Sequence, residues 1–387
     1  MPSVRRVPDS DIERYRRLVQ YAFHPEDGPQ SELTVPERIA DRYGLYEGDR
    51  LIATGALYEL DARLRGSWTT IGGIAAVSSP PEHRRSGNVE RLLDGLLAEA
   101  RDRELGLAAL WPFEHAFYRQ FGWAVANRYT TYELPPKQLA AAATTERGTY
   151  ERVGPDDWER LEAVQRAHGE GTTLSIRRSE QWWRDRTFGD ESPWAYAWLD
   201  GGEPRGYVTY TFETAGEDDV LRTEDFSAAD RDARDHLLGL LGTHDSQVDR
   251  VELTLAEEAA LLDRVVDPDA VSCSIHAGPM IRVTDPALAL KSLPYPDGVD
   301  ARVSFEVTDP VGDDHRLELG VEDTTGTCEP TQTQPDAIVD VGTLAQLLVG
   351  YRDVSDVCGR GLDCDQATGG TLSKLFPSEK VQLREFF

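Results

Sequence analysis

The chain of 387 residues is poor in positive charge, and lysine in particular is scarce. The lysines are Lys137, Lys291, Lys374 and Lys380, and 69 acidic against 41 basic residues give a formal net charge of −28. Such a chain repels a phosphate backbone, which excludes a general nucleic-acid-binding protein. Its acidic residues are spread along a sequence rich in aromatics, unlike a disordered acidic tail. We interpret them as the hydrated surface of a halophilic protein.

Cysteine is also scarce, and the four cysteines are Cys273, Cys328, Cys358 and Cys364. No two have C-x-x-C spacing and no histidine lies near enough for a familiar zinc pattern, so we expect no metal site. Cys358 and Cys364 could form a disulfide with each other, although reduced thiols are the usual state in a cytoplasm. The sequence leaves their redox state open.

Long hydrophobic runs are absent as well. No stretch of about 18 uninterrupted apolar residues occurs, so we expect no membrane span and no membrane partner. The opening run MPSVRRVPDSDIERYRR has the arginine pair Arg5-Arg6 near its start but lacks the apolar segment of a secretory signal. The chain is therefore expected to be cytoplasmic.

The sequence does contain both helical and strand patterns. Its length exceeds what one hydrophobic core usually organises. Pattern and composition predict three α/β domains, at residues 1–145, 146–285 and 286–387. In the first, a long amphipathic helix is expected around Val89–Ala100 and a short one around Ala116–Phe121. The run WAVANRYTTYELP reads as one strand, and Pro135-Pro136 with residues 140–145 reads as a linker.

The most informative segment is Arg84-Arg85-Ser86-Gly87, which lies between a predicted strand and the long helix. The first N–H groups of a helix are unsatisfied and favour a bound anion. A glycine lets the backbone approach a phosphate closely, and two arginines add charge-assisted hydrogen bonds. A solvated polar turn explains an isolated R-R-x-G equally well, so the surrounding sequence has to decide.

That surrounding sequence resembles a known family. The run AAVSSPPEHRRSGNVERLL resembles the acetyl-CoA-binding segment of GNAT acetyltransferases, and LAALWPFEHAFYRQFGWAVA is similar to the following segment of the Eis (enhanced intracellular survival) family. Weaker similarity runs through RRSEQWWRDR, GYVTYTF, MIRVTDPALALKSLPYP and LSKLFPSEKVQLREFF. The resemblance implies two tandem GNAT-like domains, the second lacking the CoA motif, and a sterol-carrier-like domain that delivers the C-terminus.

The resemblance also implies where acetyl-CoA binds. The thioester and pantetheine arm are expected along Val77, Ser78 and Ser79. The pyrophosphate is expected on Arg85, Ser86, Gly87, Asn88, Val89 and Glu90, with Arg84 alongside and with Phe113 and Glu114 lining the far wall. Ser79 and Asn88 replace residues that are usually aliphatic in the family, and Phe113 replaces a small polar one.

Acetyl transfer to an amine needs an oxyanion donor and a proton for the departing thiolate. The backbone at Val77–Ser78 is a candidate for the first. Tyr118 matches the general acid of the family, and a phenol is protonated at neutral pH. The alternative for Tyr118 is an aromatic that only packs in the core.

The expected general base is the terminal carboxylate of Phe387. The run VQLREFF is apolar where chain ends are usually polar and frayed, which indicates docking. Burial would raise the pKa of the carboxylate and make it a better base, and the family uses its C-terminal carboxylate in this way. A terminus docked only for stability explains the same residues.

The leading hypothesis is therefore direct acetyl transfer from acetyl-CoA to a primary amine in a ternary complex. Polyamines, aminoglycoside-like compounds and lysine side chains are all candidate acceptors. The resemblance implies a homo-oligomer, specifically a hexamer. The alternative is an acetyl-CoA sensor, or a protein that binds an apolar ligand in its C-terminal domain, without turnover.

Overall fold

We describe a computed structural model that covers residues 2–25, 28, 39–140, 142, 147–189, 193–257 and 259–387. Most of the predicted linker at 140–145 lies outside these residues. The described chain forms two compact units. One comprises Met1–Asn127, Thr172–Ile176 and Pro279–Phe387, and the other comprises Arg128–Gly171 and Arg177–Gly278.

The elements up to Asn127 alternate as the sequence predicts. They are β1 (Ser3–Arg6), α1 (Ile12–Phe23), β2 (Asp41–Glu47), β3 (Arg50–Leu64), β4 (Ser67–Ser78), α2 (Asn88–Asp102), β5 (Leu107–Leu110), α3 (His115–Arg119) and β6 (Ala124–Val125). The apolar face of α2 supplies Leu92, Leu93, Leu96 and Leu97 to a core that also contains Leu57, Ile74 and Leu110 from the strands. This burial of a periodic apolar stripe explains why the amphipathic segment forms a helix.

The next segment forms most of the second unit. Its elements are β7 (Arg128–Leu134), β8 (Thr149–Arg152), α4 (Trp158–His168), β9 (Thr172–Thr173), α5 (Glu180–Trp182) with a π-helical turn at Trp183–Thr187, β10 (Trp194–Asp200), β11 (Glu203–Ala215), β12 (Asp218–Ala228), α6 (Arg231–Gly242), β13 (Arg250–Ala256) and β14 (Ser272–Ala277). Strand β9 belongs to the first unit.

The remaining elements belong to the first unit. They are β15 (Met280–Val283), α7 (Pro286–Ser292), β16 (Ala301–Thr308), β17 (His315–Glu322), β18 (Thr325–Pro330), β19 (Ala337–Asp340), α8 (Val341–Val349), α9 (Val354–Val357), β20 (Leu362–Cys364), α10 (Gln366–Leu375) and β21 (Lys380–Val381). A five-stranded sheet in the order β18-β17-β16-β19-β20 organises the C-terminal domain.

Two seven-stranded sheets organise the rest of the chain. The first has the order β1-β2-β3-β4-β5-β15-β6 and the second the order β14-β7-β13-β12-β11-β10-β8. Strand β7 lies before residue 145 yet pairs in the second sheet, and β15 lies before residue 285 yet pairs in the first. Each sheet therefore includes a strand from beyond the expected boundary. The domain boundaries at 145 and 285 stay predictions.

The single strand expected over WAVANRYTTYELP is wrong. It is interrupted between β6 and β7, where the Ala126 N–H donates to the carbonyl of Pro279 at 2.8 Å. The side chain of Asn127 accepts from the Leu383 N–H at 3.0 Å. Because these long-range hydrogen bonds replace ladder bonds, the chain leaves the first sheet here.

Charged contacts attach the C-terminal domain to the first sheet. The buried guanidinium of Arg282 on β15 binds Asp309 at 2.5 Å and the Phe121 carbonyl at 2.8 Å. Arg65, in the turn after β3, donates to the carbonyls of Leu347 and Leu348 at 2.8 Å each. A cation at the last carbonyls of a helix is favourable, so Arg65 fixes the end of α8 against the first sheet.

Candidate active site

The candidate site begins where two parallel strands stop pairing. Strands β4 and β5 are paired from Gly72–Ala108 to Ile74–Leu110, after which β4 continues through Ala75–Ser78 paired only with β3. Backbone groups on that side of Ala75–Ser78 face no β5 ladder. They are available to a ligand that lies between the strands.

A β-bulge shapes this end of β4. The register against β3 shifts between Ala75 and Ser78, and Ala76 has a positive φ of 51°. Thr54 on β3 stabilises the bulge, because its hydroxyl contacts the Ala76 carbonyl at 3.0 Å and the Ser78 hydroxyl at 2.5 Å. Bulges commonly redirect a strand beside an active site. Sequence reasoning missed Thr54, which carries no local signal.

The loop between β4 and α2 exposes the start of the helix. Gly87 is the N-cap of α2, with a φ of 71°, and no side chain caps the helix. Arg85 also has a positive φ, of 57°. Left-handed backbone favours glycine, so Gly87 suits this position while Arg85 is strained there. The first N–H groups of α2 are thus left for solvent or an anion.

The departures from the family pattern are accommodated by polar contacts within the loop. Asn88 is 6% exposed, and its side-chain amide donates to the His83 carbonyl at 3.0 Å. The Ser79 hydroxyl donates to the Ile52 carbonyl at 3.2 Å. Both side chains therefore support the loop, while Ser86 and Gly87 remain exposed.

Two cations at this loop have no acidic partner among the described residues. Arg84 donates through Nε to the Ser79 carbonyl at 3.1 Å, and Arg84 and Arg85 are both exposed without an ion pair in the described structure. In a chain with a net charge of −28, uncompensated guanidinium groups beside an open helix N-terminus favour an anionic ligand.

Tyr118 lies in an aromatic cluster on α3. It is 2% exposed, its ring is 5.3 Å from the rings of Phe113 and Phe117, and it packs in the same core as Ile74 and Leu110. Burial raises the pKa of Tyr118 well above its usual value. The phenol is therefore protonated at neutral pH, as a proton donor requires.

The two residues expected to line the far wall of the cofactor site, Phe113 and Glu114, lie between β5 and α3. Phe113 is 65% exposed although its ring contacts Tyr118, and Glu114 is exposed at the N-cap of α3. An exposed aromatic ring beside Tyr118 offers an apolar surface to a bound group.

The C-terminal segment docks on the first sheet through hydrogen bonds and rings. Strand β21 pairs in parallel with β9, and the indole of Trp111 donates to the Glu385 carbonyl at 2.6 Å. Phe387 is 7% exposed, and its ring lies 5.6 Å from that of Tyr58. A side-chain carbon on Gly73 would come within 3.0 Å of the Phe387 ring, so this glycine makes room for it.

Tyr118 and Phe387 approach the end of the β4–β5 pairing from opposite faces of the sheet. A side chain on Gly72 would contact Leu57, which belongs to the core that contains Tyr118. Neighbouring residues on a strand point to opposite faces, so Gly73 and the Phe387 ring lie on the other one. Trp111, Asn127 and Gly73, which position the terminus, were not predicted. The Gly72-Gly73 pair inside a strand was the available signal.

The tryptophans of the second unit divide by burial. Trp182, Trp183 and Trp198 are at most 5% exposed and pack in the interior of that unit. Trp194 is 42% exposed, with the Arg152 guanidinium 4.4 Å above its ring.

Comparison with known families is consistent with this geometry. Profiles of the acetyltransferase (GNAT) domain match residues 3–126 and 174–283, and a sterol carrier protein domain profile matches 286–384. The chain is a GNAT-type acyltransferase. The predicted mixed α/β fold, with two GNAT domains and a sterol-carrier-like domain, is confirmed.

Similar proteins extend over nearly the whole length of this acyltransferase. An uncharacterized N-acetyltransferase of Streptomyces griseus is 25% identical over 91% of this chain and 90% of its own length. A probable N-acyltransferase structure from Enterococcus faecalis has a TM-score of 0.86 at 20% identity, covering 100% of both chains. The structure of Eis1 from Mycobacterium abscessus has a TM-score of 0.78 at 23% identity, with the same coverage.

Two kinds of structure are absent from the described residues. No described helix of this acyltransferase combines the length and apolarity needed to cross a bilayer. Within the same residues, no three His, Cys, Asp or Glu side chains cluster closely enough to bind a metal ion.

Proposed function

We propose that this GNAT acyltransferase moves an acetyl group from acetyl-CoA to a primary amine, and that the first GNAT domain carries the reaction. The observation that supports this most strongly is the uncapped N-terminus of α2, with Arg84 and Arg85 beside it without ion pairs among the described residues, at the end of the β4 segment that no longer pairs with β5. A pyrophosphate is the ligand whose charge and size suit those groups.

The residues proposed to bind acetyl-CoA divide between strand and loop. The backbone of Val77, Ser78 and Ser79 would bind the pantetheine arm as an added strand does. The N–H groups from Arg85 to Glu90 and the two guanidinium groups would bind the pyrophosphate. Phe113 and Glu114 would line the other side. Bound acetyl-CoA supplies an acetyl thioester, whose carbonyl oxygen we assign to the N–H groups of Val77 and Ser78.

Two groups of this chain would move protons. A neutral amine forms the new C–N bond as the C–S bond breaks, and the amine then loses a proton while the thiolate gains one. The Tyr118 hydroxyl is the proposed donor to sulfur. A carboxylate on Phe387 is the proposed acceptor of the amine proton. It requires that Phe387 carry a free carboxylate, which an added C-terminal glycine would displace.

We propose that the acceptor is a compound whose amine is protonated, and therefore cationic, before it binds. A chain with a net charge of −28 attracts polyamines, aminoglycoside-like compounds and lysine side chains, and the amine must lose a proton before it attacks. We further propose a cytoplasmic, halophilic hexamer. The acidic composition supports the halophilic character, and the family resemblance supports the hexamer.

The deciding experiment is acetyl-CoA-dependent thiol release in concentrated KCl, with polyamines, aminoglycosides and lysine peptides as acceptors. We expect release with at least one class, and loss of that release when a glycine is added after Phe387. A flat panel from folded protein that binds acetyl-CoA would contradict transfer to these amines and favour a sensor.

A further inference from the structure

A cavity in the first unit lies apart from the loop before α2. Its volume is about 460 Å³, and it opens where the residues after α3 meet the C-terminal domain. Three arginines line it, namely Arg119 at the end of α3 and Arg352 and Arg360 around α9. The proposed reaction uses none of them.

The three guanidinium groups are electrostatically uncompensated. None has an ion-pair partner among the described residues, and Arg352 only lies 4.9 Å from the ring of the adjacent Tyr351. Among the described residues that line the cavity, Asp340 supplies the single carboxylate. Its two oxygens accept from the Thr343 N–H and the Thr343 hydroxyl at 2.8 Å each, as the cap of α8.

A neutral hydrogen-bond donor also lines the cavity. Trp123 lines the cavity at 2% exposure, and its Nε1–H has no hydrogen-bond partner within the described structure. The first turn of the nine-residue helix α8 also lines the cavity through Gly342 and Thr343. The Asp340 carboxylate already caps this helix end, so the arginines and Trp123, and not the helix N-terminus, supply the attraction for an anion. An orphaned buried donor and three like charges are both stabilised by one anion.

We propose that this cavity binds a phosphate group, either as free phosphate or as part of a phosphorylated metabolite. Planar guanidinium groups match phosphate oxygens in pairs, and the formal charge of the lining suits a dianion. Because Arg119 directly follows Tyr118, a bound phosphate would connect α3 to the C-terminal domain. The site is independent of the transfer reaction and can be tested without acetyl-CoA.

The test is calorimetric titration of inorganic phosphate into the full chain at fixed KCl. We expect one phosphate per chain, and an affinity at least about tenfold lower in the R352Q/R360Q variant, since two charge-assisted contacts are lost. R352K/R360K retains the charge and should recover part of that affinity. Arg101→Gln is the matched control, because Arg101 is exposed on α2 without an ion pair among the described residues, and it should bind as wild type.

Parallel titrations distinguish free phosphate from a phosphorylated metabolite as the natural ligand. Tighter binding of glycerol phosphate than of phosphate would support a metabolite, and equal binding would support free phosphate. Unchanged binding in R352Q/R360Q, or displacement of phosphate by saturating CoA, would overturn the proposal, because the anion would then lie elsewhere or on the α2 loop. Circular dichroism checks the fold of each variant, and Arg119→Gln gives a second route to the same loss of affinity if the double variant unfolds.

Discussion

In the first GNAT domain α2 connects the parallel strands β4 and β5, and in the second domain α6 connects β12 and β13 in the same way. The ends of the two connecting helices differ. Gly87 leaves the start of α2 without a side-chain cap, whereas the Asp230 carboxylate accepts from the Ala233 N–H at 2.9 Å at the start of α6. A carboxylate at that position occupies a donor and repels an anion.

The space between the parallel strands differs as well. In the second domain the Thr223 hydroxyl contacts the Glu252 carbonyl at 3.3 Å and the Thr254 N–H at 3.4 Å, which connects β12 to β13 beyond their last pair. Next along β12, Asp225 is buried with Arg178 and accepts from the Tyr207 hydroxyl at 2.7 Å. From this difference we infer that the same topology forms a cofactor site only where the helix end and the gap between the parallel strands are left open.

The largest expected effect concerns Tyr118, which has no counterpart after β13, where residues 252–277 contain no tyrosine. Tyr118→Phe should lower the rate of thiol release about a thousandfold, as loss of a general acid does. The dissociation constant of acetyl-CoA should stay unchanged, because the ring still packs. Stopped-time thiol assays and calorimetry measure the two quantities. A near-normal rate would return Tyr118 to a packing role.

A buried carboxyl group in the second domain predicts a dependence of stability on pH. Burial raises the pKa of Glu162 to about 7, although hydrogen bonds from Trp183 Nε1 and the Arg178 N–H oppose the shift. The folded state keeps a proton that the unfolded state releases above its ordinary pKa of about 4.5. This contribution is therefore complete below that pKa and is lost as pH rises through 7, by about 2 to 3 kcal/mol.

Urea unfolding of wild type and Glu162→Gln at pH 5 and pH 8 measures that contribution. The variant should lose less stability than wild type over this range, because a glutamine does not ionise. An equal loss in both proteins would show that Glu162 is not the group responsible.

The open helix end predicts a smaller effect on affinity. Replacing both Arg84 and Arg85 by glutamine should raise the dissociation constant of acetyl-CoA about tenfold, and less in concentrated KCl, since salt screens exposed charges. Arg231→Gln at the start of α6 is the matched control and should leave the constant unchanged. Equal effects at both helix ends would mean that only the net charge matters.

The smallest expected effect lies at the capped helix. Asp230→Ala should lower the free energy of unfolding by about 1 kcal/mol through loss of the cap, without creating a second acetyl-CoA site. Asp365→Ala, which removes the equivalent cap of α10, should have a similar effect on stability. A second bound acetyl-CoA in Asp230→Ala would show that the cap alone closes the second domain.

Local sequence was sufficient for some of these features and insufficient for others. The loop Arg84–Gly87 and the helix after it were predictable, because a turn and an amphipathic stripe are encoded by neighbouring residues. The exchange of β7 and β15 between the sheets was not, since their partners lie far away along the chain. The docking site of Phe387 also depends on distant residues, Gly73, Trp111 and Asn127, whose roles appear only once the sheet has formed.

The number of acetyl-CoA molecules bound per chain tests the central claim most directly. Calorimetric titration would compare wild type with Gly87→Asn and Gly87→Asp. Asparagine tolerates the left-handed backbone without adding charge, while aspartate introduces at the N-cap the carboxylate that α6 carries there. We expect one acetyl-CoA per chain, with affinity retained in Gly87→Asn and weakened about hundredfold or more in Gly87→Asp. Two per chain in wild type, or wild-type affinity in Gly87→Asp, would contradict the claim.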